Sequence, residues 1–283
     1  MNMQKMMTVG GILALALGVL PVRAGDVKLI PGTPIEFEVK GTPPTLAQLA
    51  RQKPDESVRM TIKLPADYDA SKSYPALVFL NGGDGGFGGE LNMAHPFLGD
   101  AGYILVNLPL FKQNVEGETD DERLLITPLD AAYALPGYKV MLDEVRRLVP
   151  NLDESRSVLA GFSNGAFAIA LMVWAGDADL LSRFSTFVLI EGGFWLASDR
   201  VESASKIRFQ PARLTGLAGK RFLVMYGDQT NPPDRIPWVA DARKCVAALQ
   251  KAGASVTEMP MKNTGHDFPA AEAERARAWV LGE

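Results

Sequence analysis

Gly161-Phe162-Ser163-Asn164-Gly165 places a serine between two glycines. The apolar run Ser157-Val158-Leu159-Ala160 leads into it, and the helix-prone stretch Ala166-Phe167-Ala168-Ile169-Ala170-Leu171-Met172 follows. G-x-S-x-G between a strand and a helix is a nucleophile elbow: a sharp turn projects the serine hydroxyl beyond the sheet, and small neighbours let strand and helix close around it. The pentapeptide alone says little in a chain with 27 glycines. Its position between a strand and a helix carries the reading.

A serine hydroxyl attacks a carbonyl only if a base takes its proton, and imidazole titrates in the right range. The chain has two histidines. His266 lies in Asn263-Thr264-Gly265-His266-Asp267-Phe268, between the last expected strand and the last expected helix, and is the candidate base. His95 stands beside Pro96 with no strand-end context, and is expected to be structural or close to substrate. The attacked carbonyl oxygen also needs donors. Residues 75–89 read PALVFLNGGDGGFGG, a buried strand running into a glycine-rich turn. One backbone N–H from that turn and one from the residue after the nucleophile would form an oxyanion hole, which points to Gly83, or its neighbour Asp84, and to Asn164. The same turn matches G-x-G-x-x-G over residues 83–88, with Asp100 beyond it. A dinucleotide site needs such glycines to open a helix in the first βαβ unit, and Gly88-Gly89 is a poor first turn, so this match is set aside.

A carboxylate must orient the histidine and stabilise its cationic form. Tyr226-Gly227-Asp228-Gln229-Thr230-Asn231-Pro232-Pro233-Asp234-Arg235-Ile236-Pro237 offers Asp228 and Asp234. Asp228 directly follows the glycine that closes its strand, and is narrowly favoured over Asp234. Glu191, ending the preceding strand, is a third choice. Helix caps and solvated loop charges are the ordinary uses of such residues.

These groups need a scaffold. Residues 35–39 and 58–64 alternate polar and apolar, whereas 76–80 is continuously apolar, the pattern of a strand covered on both faces. Further strands are expected at 103–108, 157–160, 187–190, 221–226 and 254–259. Helices are expected over 128–148, with an irregularity at Pro136-Gly137, and near 238–252 and 269–281. Alternation of strands and helices implies a mostly parallel sheet with helices on both faces, after an antiparallel start.

Residues 1–24 read as a secretory signal peptide: Lys5, an apolar stretch from Met6 to Leu20, then Val22-Arg23-Ala24 with cleavage after Ala24. The stretch stops at Pro21, short of a membrane span, so no stable span is expected after processing. The whole chain is 283 residues at net charge −4; without the leader's Lys5 and Arg23 it stands near −6. That balance gives no footprint for nucleic acid or anionic lipid. Cys245 is the one cysteine, so no intramolecular disulfide forms, and residues 25–283 are expected to fold as one large α/β domain whose core needs no staple.

The chain resembles secreted esterases of the α/β-hydrolase superfamily, among them polyhydroxybutyrate-depolymerase-like, feruloyl and acetyl-xylan esterases. The resemblance rests on Ile62 to Tyr68 leading to Tyr74 through Gly83, on GFSNGA at the elbow, on YGDQ and on Gly265-His266, and it spans residues 58–283. It departs at Asn81, where a histidine is common, and at Thr230, where the acid is common. The resemblance implies the order Ser, Asp, His, a secreted or periplasmic location and an ester substrate that is small or oligomeric and derived from carbohydrate or polyester. The chemistry needs no metal and no organic cofactor. A peptidase or amidase would use the same elbow, and a non-catalytic binding protein would keep the fold alone. Phe87, Phe111, Phe194 and Trp195 are candidates to line an apolar pocket above the sheet, with plain core at least as common a place for aromatics.

Overall fold

The computed structural model describes residues 27–44, 46, 49, 57–83, 91–99, 101–111, 128–194, 214–229 and 238–283. The expected leader lies outside them. Eight strands form one sheet: β1 (Pro34–Glu38), β2 (Arg59–Lys63), β3 (Ala76–Leu80), β4 (Ile104–Leu108), β5 (Val158–Phe162), β6 (Thr186–Ile190), β7 (Arg221–Gly227) and β8 (Ser255–Met261). Their spatial order is β1-β2-β4-β3-β5-β6-β7-β8. β1 and β2 are antiparallel, as are β2 and β4, and every later pairing is parallel. The antiparallel start and parallel continuation follow the expected pattern, and each strand falls within two residues of its expected ends.

The six helices described are α1 (Ala94–Leu98), α2 (Pro128–Leu148), α3 (Asn164–Ala175), α4 (Ala178–Arg183), α5 (Trp238–Lys251) and α6 (Ala270–Leu281). On one face of the sheet, Leu159, Phe187, Phe222 and Val224 meet Phe167 and Leu171 of α3, Tyr138 and Met141 of α2, and Cys245 and Leu249 of α5. On the other, Leu77, Phe79, Leu105 and Leu223 meet Phe97 and Leu98 of α1 and Ala276 and Val280 of α6. Strands covered on both faces have no reason to alternate, and β3 and β6 are buried at all five positions. β8 alternates between exposed and covered residues because it is the edge. Pro260 fits that edge position, where a missing N–H costs no interior ladder bond.

Helix α3, which carries the elbow, is buried from Asn164 to Trp174. It is apolar on every side because it lies between the sheet and α2. Burying each large aliphatic or aromatic side chain of that helix contributes about 1.5–3 kcal/mol, so the helix start is held firmly against the strand ends. The expected irregularity at Pro136-Gly137 does not interrupt α2, which is helical from Pro128 to Leu148. The helices α1 and α4, five and six residues long, are too short for a periodic signal and were not expected. Among the described residues no helix is long and apolar enough to cross a membrane.

Candidate active site

The carboxyl ends of β5, β6 and β8 converge on one place. Ser163 follows β5 with φ 53° and ψ −124°, a backbone region that side chains rarely occupy. Its N–H donates to the Ile190 carbonyl at 2.8 Å, and its carbonyl accepts from Phe167 N–H at 3.0 Å, so the turn is tied to β6 on one side and α3 on the other. Gly165 makes this closure possible: a Cβ there would overlap the Leu80 carbonyl oxygen at the end of β3.

Three non-glycine residues among those described have positive φ: Ser163, Glu191 at 53° and Asn263 at 56°. They sit at the ends of β5, β6 and β8. Such conformations cost about 1–3 kcal/mol each and persist where the surroundings over-determine them. Asn263 tolerates the left-handed region best. The strain therefore gathers where three strand ends meet.

His266 is presented by the turn after β8. That turn is fastened to β7 through Asp228 N–H to Met261 O at 3.1 Å and Gln229 N–H to Thr264 O at 3.0 Å. Gly227 closes β7 flush against it, since a Cβ there would overlap the carbonyl oxygens of Thr264 and Gly265. The Phe162 ring lies beside the imidazole with centroids 5.1 Å apart and planes 35° apart. In this setting His266 Nε2 lies 2.9 Å from Ser163 Oγ. His266 Nδ1 lies 3.4 Å from Glu191 Oε2. The other carboxylate oxygen of Glu191 accepts the Gly227 N–H. Glu191 is 2 % exposed, against 31 % for the His266 side chain. The carboxylate is thus held in the interior and the imidazole opens toward solvent.

The geometry brings forward a different carboxylate from the one narrowly favoured in the sequence. Among the described residues, the carboxylate facing Nδ1 belongs to Glu191, the third choice from sequence. Asp228 is exposed. Its backbone N–H donates to the Met261 carbonyl. Asp234 lies outside the described residues. One signal in the sequence marks Glu191: it is the charge that ends the apolar run Thr186-Phe187-Val188-Leu189-Ile190 and precedes Gly192-Gly193, so it sits at the carboxyl edge of a fully buried strand.

The two residues expected to supply oxyanion donors, Gly83 and Asn164, are in contact through a side chain. Asn164 begins α3, where the first N–H groups have no acceptor within the helix. Its side-chain amide nitrogen donates to the Gly83 carbonyl at 2.8 Å. Gly83 has φ +87°, which glycine takes at little cost. Asp84 and residues 84–88 of the G-x-G-x-x-G match lie outside the described residues. His95 is exposed on α1 and does not join the group. Phe111 and Phe194 are fully buried, so of the two places open to them, pocket wall and core, they take the core. Phe111 packs on Tyr138, ring centroids 5.4 Å apart. Phe87 and Trp195 lie outside the described residues. Among those described, no three His, Cys, Asp or Glu side chains are placed to share a metal ion.

An activated hydroxyl, a base within hydrogen-bond reach and a buried carboxylate behind the base form an arrangement able to carry out nucleophilic attack on a carbonyl. The sheet order and the strained serine between β5 and α3 fix the architecture. The chain has the α/β-hydrolase fold. It is similar to the Bacillus cereus carboxylesterase, with 23% identity and a TM-score of 0.54 over 79% of this chain and 93% of that one. A thermostable esterase from Pseudomonas putida aligns at 15% identity and TM-score 0.61, covering 90% of this chain and 84% of its own. An esterase from Pyrobaculum calidifontis aligns at 15% identity and TM-score 0.59, over 90% and 85%. No protein-family model matches the sequence, and no curated protein does.

Proposed function

We propose that the protein is a serine hydrolase that cleaves carboxylic esters. The observation that carries the reading is the 2.9 Å approach of His266 Nε2 to Ser163 Oγ, with the Glu191 carboxylate behind Nδ1. In this mechanism His266 carries its proton on Nδ1, toward Glu191. Ser163 Oγ attacks the ester carbonyl as Nε2 takes its proton, forming a tetrahedral oxyanion. The backbone N–H groups of Gly83 and Asn164 receive that oxygen. Collapse expels the alcohol with the proton from Nε2 and leaves an acyl-serine. Water, deprotonated by the same nitrogen, then releases the acid and restores Ser163. Glu191 remains a carboxylate throughout and stabilises the imidazolium. The 3.4 Å separation at Nδ1 is longer than a strong hydrogen bond, and such contacts tighten as charge develops on the ring.

The names of the similar structures, carboxylesterase and esterase, support ester substrates. The charged, apolar and small-residue order of residues 1–24 supports export with cleavage after Ala24. The test is hydrolysis of p-nitrophenyl acetate and of the matching anilide by the protein and by Ser163→Ala, together with fluorophosphonate labelling. Ester turnover and labelling that vanish in Ser163→Ala are expected. Equal ester turnover in the two proteins would defeat the proposal, and faster cleavage of the anilide would make the protein an amidase.

A further inference from the structure

We infer that the Asn164 side chain is a positioning residue that sets the oxyanion hole, by clamping the Gly83 carbonyl to the start of the nucleophile helix. The inference rests on the proposed ester chemistry and adds a residue to it whose role lies in its side chain, not in its backbone.

Asn164 directly follows the nucleophile, and the polar side chain is buried, at 6% exposure. Asparagine is a poor helix former because its amide competes for backbone groups, so a buried one at this position calls for a specific partner. That partner is a backbone carbonyl 81 residues away: Nδ2 lies 2.8 Å from Gly83 O. The two ends of an amide look alike, but a carbonyl only accepts, so the partner fixes the nitrogen toward Gly83.

Gly83 is the residue that needs such a hold. At φ +87° it takes a conformation open to glycine, which has no Cβ to restrict it, so no side chain of its own fixes its peptide planes. The N–H expected to meet the oxyanion belongs to one of those planes, and the clamped carbonyl belongs to the other. The other expected donor is the backbone N–H of Asn164 itself. One residue thus supplies one donor and, through its side chain, holds the residue that supplies the second. A partly buried hydrogen bond couples the two residues that would supply the donors.

Such donors act on charge that exists only in the tetrahedral species, so loosening one should lower kcat and spare KM. A full donor contributes ~10²–10³ in rate, and a donor left in place but unheld should lose about 10–100-fold. The test compares Asn164→Ala and Asn164→Asp with the unaltered protein. Aspartate keeps the shape but offers no donor and sets an oxygen against the Gly83 carbonyl. Three quantities are measured: kcat and KM on p-nitrophenyl acetate, the thermal midpoint, and the inhibition constant of a trifluoromethyl ketone, which forms a hemiketal oxyanion on the serine. The expected result is a kcat loss in both variants, matched by an equal loss of ketone affinity, with KM within about threefold. A variant that melts earlier yet keeps kcat and ketone affinity would reduce the bond to a structural tie and overturn the inference. Should Asn164→Ala fail to fold, Asn164→Asp carries the same comparison. Absence of ester turnover and of fluorophosphonate labelling in the unaltered protein would instead remove the esterase reading, and this inference with it.

Discussion

The Gly227 N–H holds one oxygen of the Glu191 carboxylate, and this aims the other oxygen at His266 Nδ1, 3.4 Å away. The carboxylate is therefore carried by β6, next to the strand that leads into Ser163, and oriented by the end of β7. It needs no loop of its own: the strained backbone at φ 53° turns the side chain across the strand ends, and Glu191 N–H is fixed to Met225 O at 2.9 Å.

From that arrangement, Glu191→Gln should lose about 10⁴ in kcat while staying folded, because an amide cannot hold the productive tautomer or stabilise the imidazolium. Asp228→Asn should retain nearly all activity. Turnover and thermal melts on both variants decide the matter. A fold-neutral collapse of activity in Asp228→Asn, with Glu191→Gln active, would return the acid to the loop after β7.

The elbow's packing makes a second expectation. A methyl group at position 165 would overlap the Leu80 carbonyl oxygen, and backbone cannot step aside as a flexible side chain can. Gly165→Ala should therefore push α3 away from β3, cost about 1–3 kcal/mol and misplace Ser163 against His266. Denaturant unfolding and p-nitrophenyl acetate turnover would report both. Unchanged stability and rate would mean that the elbow tolerates the added methyl.

Much of this was legible in the sequence because periodicity reports burial. β3 and β6 read as continuous apolar runs since helices cover both their faces, and β1 alternates because it is an edge strand, whereas β2 alternates in sequence although Thr61 is buried with its neighbours. Ser163 and His266 were legible because their neighbours announce strand ends. The acid was not, because Asp228 and Glu191 both end apolar strands, and a sequence does not say which carboxylate turns inward. Turning inward depends on the positive φ at Glu191 and on the buried N–H of Gly227, the next strand's last residue, both tertiary facts. For the aromatics the sequence left pocket and core both open, and Phe111 and Phe194, which follow strand ends, belong to the core, Phe111 packed against Tyr138.

Cys245 on α5 is fully buried, and burial first, then the nearby Asp241 carboxylate, pushes its thiol well above the ordinary value. The thiolate is the reactive form, so the native protein should resist Ellman's reagent at pH 8 and release one equivalent on unfolding in guanidinium. Rapid native labelling would show that α5 opens locally.

Stability in acid should depend on Asp179. Arg183 is 4 % exposed and reaches Asp179 through Nε at 3.2 Å and Nη2 at 3.0 Å, and Asp143 through Nη2 at 2.7 Å. The Arg183 bonds hold the Asp179 carboxyl below the usual range, against a smaller opposing effect of burial, and Lys139 adds to the lowering. A carboxylate whose folded value is depressed binds fewer protons folded than unfolded. Its contribution is therefore complete above the unfolded value, near 3.9, and disappears as pH falls through the folded one. Asp179→Asn should melt below the unaltered protein at pH 7, though Asp143 still faces Arg183. The gap should narrow as pH falls from 5 toward 2, because protonation removes from the unaltered protein what the substitution has already removed. Thermal melts of both proteins across that range test the point. A gap that stays constant with pH would assign the loss to packing and not to the charge.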